Sequence, residues 1–167
     1  MSQENVERWR AQIEVIRAGT SEIDREAMLT KISELWDPEI EWDTSDGPVL
    51  DVSGVYRGVA GARQWFRDWF AAWETLEIVE HELIDAGERV VWLIDLRMRG
   101  RATGIEVPLG KHAWVATFRD GLIVHQKLYM SQSEALEAVG LSEQTLTPTP
   151  EAAGYCAVTV NLSPRTR

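Results

Sequence analysis

Residues 89–130, RVVWLIDLRMRGRATGIEVPLGKHAWVATFRDGLIVHQKLYM, decide the architecture. Within 89–99, 106–118 and 122–130, apolar and polar side chains alternate with a period of two, the mark of strands that bury one face. The links at 101–104 and 119–121 are too short for a crossover, so neighbouring strands pair antiparallel as hairpins. Toward the N-terminus, residues 76–84 add a fourth long strand through Asp85-Ala86-Gly87-Glu88. Before it the period changes. Residues 59–73 carry Trp65, Phe66, Trp69, Phe70 and Trp73 at three-and-four spacing, which predicts a helix with a broad aromatic face. Residues 44–54 are rich in Ser, Asp, Gly and Pro and read as a loop, preceded by a short strand over 39–43. Two more helices come first. One spans 22–35 and is ended by Pro38. The other spans 2–17, with Val6, Trp9, Ile13 and Ile16 on one face, Ser2 as cap and Gly19 as stop. After the strands, Ser131 caps a last helix over 133–139, stopped by Gly140. Helices first and a curled antiparallel sheet second make an α+β arrangement.

The chain has 167 residues, the size of one domain, with 44% hydrophobic and 26% charged residues, as in ordinary globular proteins. No stretch approaches the roughly 20 apolar residues that span a bilayer, so no membrane association is expected. Residues 1–5 have neither a basic nor an apolar signal region, and the chain reads as cytoplasmic. Cys156 is the one cysteine, which excludes an internal disulfide framework and a Cys-based zinc site. The net charge of −10 would repel a phosphate backbone, so nucleic acid is not expected as a partner. Eight tryptophans against three Phe and three Tyr are the unusual feature. They read either as core or as the wall of a cavity for a flat organic molecule.

The segments WDPEIEW (36–42), YRG (56–58), FRDGLIV (118–124) and EALEAVGL (134–141) resemble the SnoaL-like branch of the nuclear transport factor 2 (NTF2-like) superfamily. The resemblance covers about residues 3–141, giving a SnoaL-like domain over 1–141 and a C-terminal tail over 142–167. That tail reads as an added edge strand or, by composition, as disordered. The resemblance implies an NTF2-like cone, in which N-terminal helices pack on the concave face of a strongly curved antiparallel (mixed) sheet and leave a blind apolar pocket. It also implies homodimers through the outer sheet face, where Val91, Leu93, Ala113, Val115, Ile123 and Tyr129 would lie. Steroid isomerases, polyketide cyclases, epoxide hydrolases and non-enzymes share this scaffold, so activity has to be argued from residues.

Alternation puts Trp92, Ile94, Leu96 and Met98, then His112, Trp114, Ala116 and Phe118, then Leu122, Val124, Gln126, Leu128 and Met130 on the buried face. Asp95, Arg97 and Arg99 face outward, with His125, Lys127 and Tyr129. His112 and Gln126 are the polar exceptions inside. Resemblance to the isomerase branch puts Asp43 at the position of the base that moves a proton between carbons. It puts Gln12 and Trp114 at the positions of the oxyanion-stabilising pair, where neither keeps the proton-donating group of that branch. The acid of the epoxide hydrolase branch falls at Leu128. By analogy with polyketide cyclases, Asp43 and His112 take the catalytic roles, and the expected ligand wall is Gln12, Tyr56, Trp65, Trp69, Trp92, Trp114, Gln126, Leu128 and Met130.

Each candidate also has a structural reading. Asp43 is either a general base raised by apolar walls or a carboxylate that caps the loop after its strand. His112 is either an acid–base partner or a core histidine satisfied by a backbone carbonyl. His81, His112 and His125 are scattered, and no phosphate-binding glycine loop or Gly-x-Ser-x-Gly occurs, so no metal, cofactor or nucleophile is expected. Two functions stay open: a cofactor-free acid–base enzyme acting on a small polyketide-, terpenoid- or steroid-like carbonyl compound, and a non-catalytic ligand-binding or scaffold module. Asp43 within reach of His112 or Gln126 favours the first; Asp43 tied to the 44–54 loop favours the second.

Overall fold

A computed structural model describes residues 2–18, 25–142 and 158–161. The chain runs α1 (Ser2–Ala18), α2 (Arg25–Ser33), β1 (Trp36–Asp43), a 3-10 turn (Leu50–Val52), β2 (Val55–Arg57), α3 (Gly58–Ala72), β3 (Trp73–Ala86), β4 (Arg89–Gly100), β5 (Glu106–Arg119), β6 (Leu122–Tyr129), α4 (Gln132–Ala138) and β7 (Val158–Asn161). One sheet holds all seven strands in the order β2-β1-β6-β5-β4-β3-β7. The long strands β3 to β6 pair antiparallel as their short links require; among the described strands only β1 and β6 are parallel. The expected mixed, curved sheet with helices on its concave side is what the sequence folds into.

Several boundaries differ from the expected ones. Pro38 does not stand outside a strand but inside β1, where the pairing with β6 is irregular between Trp36 and Glu41. That irregularity is where a residue without an N–H is tolerated. Trp73 is not the last residue of α3; it opens β3. Arg101 fixes that corner, its guanidinium donating to the carbonyls of Phe70, Ala71 and Trp73. A cation on the last carbonyls of a helix satisfies acceptors that no helical N–H can reach. Residues 55–57, not expected as a strand, pair with β1. In the tail, residues 158–161 form an edge strand on β3. Gly19, the expected stop of the first helix, and residues 22–24, the expected start of the second, lie outside the described residues, as does Cys156.

Bulges curve the sheet. Register shifts fall in β3–β4 between Ile78 and Glu80, in β4–β5 between Leu96 and Arg97, and in β5–β6 between Thr117 and Phe118. Each extra residue bends its strand and reverses which residues face inward beyond it. In β5 the shift centres on Gly110, whose φ of 76° suits a residue without Cβ. In β6 the shift turns Ile123 inward, fully buried in the main core beside Phe118. Uninterrupted alternation had placed it outside.

The main core lies between the concave face and the helices. Trp36 stacks on Phe66 with ring centres 5.8 Å apart, Trp42 approaches Phe66 at 5.1 Å, and Trp9 of α1 meets Trp92 of β4 edge-on at 6.0 Å. A second, smaller core covers the convex face. There Val91, Ala113 and Val115 are buried under Ala135 and Leu136 of α4, with Leu93 and Tyr129 packed around them. Of the residues read as a dimer face, Val91, Ala113 and Val115 are therefore buried with the chain's own last helix, while Ile123 belongs to the main core. Ser131 starts that helix as expected, its hydroxyl accepting from the Glu134 N–H at 3.3 Å.

Candidate functional site

Beneath α1 and α3, the concave face encloses a cavity of about 90 Å³. Helix α1 contributes Trp9, Gln12 and Ile16, one face at helical spacing. Helix α3 contributes Trp65, Phe66, Trp69 and Phe70, and β1 contributes Trp42. From the sheet come Leu76, Ile78, Trp92, Ile94, Leu96, Leu109, His112, Trp114, Gln126 and Leu128. Thr44, Gly47, Pro48, Val49 and Val52 form one lip. Trp42, Trp65 and Trp114 meet one another with ring centres 5.3–5.6 Å apart, and Trp65 stacks on Trp69 at 5.2 Å. Six of the eight tryptophans face this space, so core and cavity wall are the same residues here.

Of the residues expected at the site, Gln12, Trp65, Trp69, Trp92, Trp114, His112, Gln126 and Leu128 converge on the cavity. Tyr56 and Met130 pack against the core without joining the wall. Asp43 does not join it either. Ile40 and Trp42 are buried in the main core, so the intervening and following residues of β1 point to the other face, and Asp43 pairs in register with outward Lys127. Its carboxylate accepts from the Ser45 N–H at 2.9 Å and from the Ser45 hydroxyl, and lies 3.8 Å from Lys127 Nζ. Burial works to raise its pKa, but the two Ser45 hydrogen bonds and the charge of Lys127 outweigh that and hold it below the ordinary carboxylate value. Geometry and charge both give Asp43 the loop-capping role, not the role of a raised base.

His112 is 1% exposed, and its Nδ1 lies 2.8 Å from the Gly110 carbonyl oxygen. A carbonyl only accepts, so Nδ1 carries the hydrogen and Nε2 keeps its lone pair. Burial disfavours the imidazolium and lowers the pKa, partly offset by the Gly110 carbonyl and Asp95, so the ring is neutral near pH 7. The β5 bulge builds this arrangement: it supplies the Gly110 carbonyl and brings both Leu109 and His112, three residues apart, to the same wall.

Other polar groups of the wall are also committed or buried. Thr44 Oγ1 donates to the Val52 carbonyl at 2.8 Å or the Gly54 carbonyl at 3.1 Å, and Trp65 Nε1 donates to Val52 at 3.1 Å. These bonds pin the 44–54 lip to α3. Gln12 Oε1, Gln126 Oε1 and Trp42 Nε1 are buried without a hydrogen-bond partner. Trp9, Trp42 and Thr44 were not expected at the site, although Trp9 stands one α1 turn from Gln12, and Trp42 alternates with Ile40. Among the described residues no three His, Cys, Asp or Glu side chains gather as a metal site would, and no helix is long and apolar enough to cross a membrane.

A family model described as "SnoaL-like domain" matches residues 9–126. No curated protein matches the sequence. Among solved structures, TerC co-crystallised with polyporic acid is 20% identical, covering 81% of this chain and 98% of its own, with a TM-score of 0.60. An NTF2-like protein from Burkholderia pseudomallei K96243 is 19% identical, covering 82% and 98%, at 0.57. A protein from Catenulispora acidiphila DSM 44928 with a ketosteroid isomerase-like fold, in complex with trimethylamine, is 17% identical, covering 82% and 97%, at 0.54. At these identities the likeness is one of fold, and the fold is NTF2-like.

Proposed function

Since the chain belongs to the SnoaL-like domain family, we propose that it takes a small, uncharged, largely apolar organic molecule into the cavity beneath α1 and α3. The wall carries this reading. Six indoles and two phenyl rings surround the space, and among the described residues that line it there is no carboxylate, ammonium or guanidinium. Burying an unpaired charge there would cost several kcal/mol. A volume of 90 Å³ holds roughly six water molecules, about the bulk of an organic molecule of ten or so heavy atoms. That suits one or two rings, as in a small polyketide or terpenoid, and is tight for the four rings of a steroid.

An aromatic wall also attracts a methylated ammonium ion through cation–π contacts, and the Catenulispora relative was crystallised with trimethylamine. With no acidic side chain among the described residues of the wall to share that charge, the uncharged ligand is favoured. Isothermal titration calorimetry on 2-naphthol, 2-methoxynaphthalene, naphthalene-2-carboxylate and phenyltrimethylammonium tests this. At least one neutral compound is expected to bind tenfold more tightly than either ion. An ion binding as tightly, or neither neutral compound binding at all, overturns the proposal.

A second reading, conversion of the bound molecule, rests on His112. A neutral imidazole with a free Nε2 lone pair is a competent general base near pH 7. It is also the one titratable side chain among the described residues of the wall. The base is then His112 and not Asp43. Exchange of the α-protons of 2-tetralone in D₂O, followed by NMR, is expected to be accelerated by the protein and not by His112→Gln. Equal rates for the two would leave binding alone.

A further inference from the structure

Resting on the pocket reading above, we propose that the molecule it takes is a hydroxylated ring, whose O–H is donated to His112 Nε2 with the Gln12 and Gln126 amides beside it. The polarity of the wall points this way. Three of its hydrogens are already locked onto backbone carbonyls: His112 Nδ1–H on Gly110, Trp65 Nε1–H on Val52, and the Thr44 hydroxyl on Val52 or Gly54. These assignments do not depend on how an amide is rotated, because each partner can only accept. They leave His112 facing a ligand as an acceptor alone.

The two glutamines add to this. Gln12 is 5% and Gln126 3% exposed, both line the cavity, and the Oε1 atom of each is buried without a partner. Buried amide oxygens are normally paired. A ligand hydroxyl can donate to one of these acceptors while its own oxygen accepts from an amide N–H or from Trp42 Nε1, whose hydrogen is likewise unpartnered. An ether has no O–H to donate and leaves the His112 lone pair unmatched. The cavity thus offers His112 Nε2 as an acceptor for a ligand O–H, with Trp42 Nε1–H and the glutamine amides as possible donors to the ligand oxygen.

The test compares 2-naphthol with 2-methoxynaphthalene, two neutral rings of nearly the same size that differ in the O–H, by calorimetry at pH 7.5. The intact chain is expected to prefer 2-naphthol by about tenfold, the worth of one buried hydrogen bond near 1.4 kcal/mol. In His112→Phe the preference should fall below about threefold. Gln126→Met, which keeps length and removes the amide, provides the same reading should the first variant fail to fold. An ether that binds the intact chain as tightly as 2-naphthol overturns this inference and leaves the pocket reading standing, as does a preference that survives both substitutions. Absence of binding by both compounds overturns both.

Discussion

Leu136→Ala is the substitution that most directly tests how the convex face is covered. Leu136 is fully buried on Val91, Ala113 and Val115, with Ala135 beside it. Truncation removes three buried carbons, worth about 2.4 kcal/mol at roughly 0.8 kcal/mol each. A residual cavity would add to that, but α4 is a seven-residue helix and can settle toward the sheet, which holds the total near the low end of the usual 2–5 kcal/mol range for Leu→Ala. About 3 kcal/mol is therefore expected, or a fall in Tm of roughly 6–12 °C for a domain of this size. Leu50→Ala is the control: Leu50 is 87% exposed, and its truncation should change stability by no more than about 0.5 kcal/mol. Urea unfolding of both variants at two protein concentrations, tenfold apart, is the assay. A loss under about 1 kcal/mol for Leu136→Ala would show that α4 does not seal this face. A loss that depends on concentration would mean that a second chain, not α4, covers it.

Other outcomes follow from the same contacts. His112 is held with its pKa below the ordinary 6.5, so the unfolded chain binds the extra proton first. Its penalty is absent above about pH 6.5 and grows as pH falls toward the folded pKa; His112→Phe should flatten the stability profile in that window, and an unchanged profile would contradict the burial argument. Glu26 of α2 is lowered to about 2 by hydrogen bonds from Arg67 and Arg63 of α3. Its contribution is present above the ordinary 4.5 and lost between there and about 2, so Glu26→Gln should blunt the acid sensitivity of Tm in that range; because the pair is exposed, the effect at pH 7 is small. Gly110→Ala meets no atom within 4 Å of the added Cβ, so its cost, about 1–2 kcal/mol, comes from the positive φ alone and should lower the denaturation midpoint without changing the m-value.

What the sequence made legible, and what it hid, divides along the strands. Four long alternating runs with three-to-four-residue links leave antiparallel pairing as the only economical topology, and the aromatic face of α3 had to lie against something apolar. The fold was readable for that reason. The cavity wall was readable wherever alternation ran without interruption: Trp92, Ile94 and Leu96 in β4, and Gln126 and Leu128 in β6, all face the cavity. Position along β1 does not set which face a residue takes, and Asp43 takes the outer one. Ile40 and Trp42 already claimed the inner face of β1, and adjacent residues of a strand cannot share it.

The bulges were harder, since nothing in FRDGLIV announces that Ile123 turns inward. The one at Gly110 matters most. A regular β5 would have carried Leu109 and His112 to opposite faces and left His112 Nδ1 without the Gly110 carbonyl. Its tautomer would then be free, and Nε2 could present a donor as readily as a lone pair. One inserted residue in β5 thus holds the His112 tautomer on which the proposed ligand contact rests. Gly110→Ala therefore has a second readout, independent of stability. If strain at residue 110 loosens the bulge, the preference for 2-naphthol over its methyl ether should shrink together with the denaturation midpoint. If the midpoint falls while the preference stays whole, the His112 tautomer is held by something other than this bulge, and the link from backbone register to ligand polarity is broken.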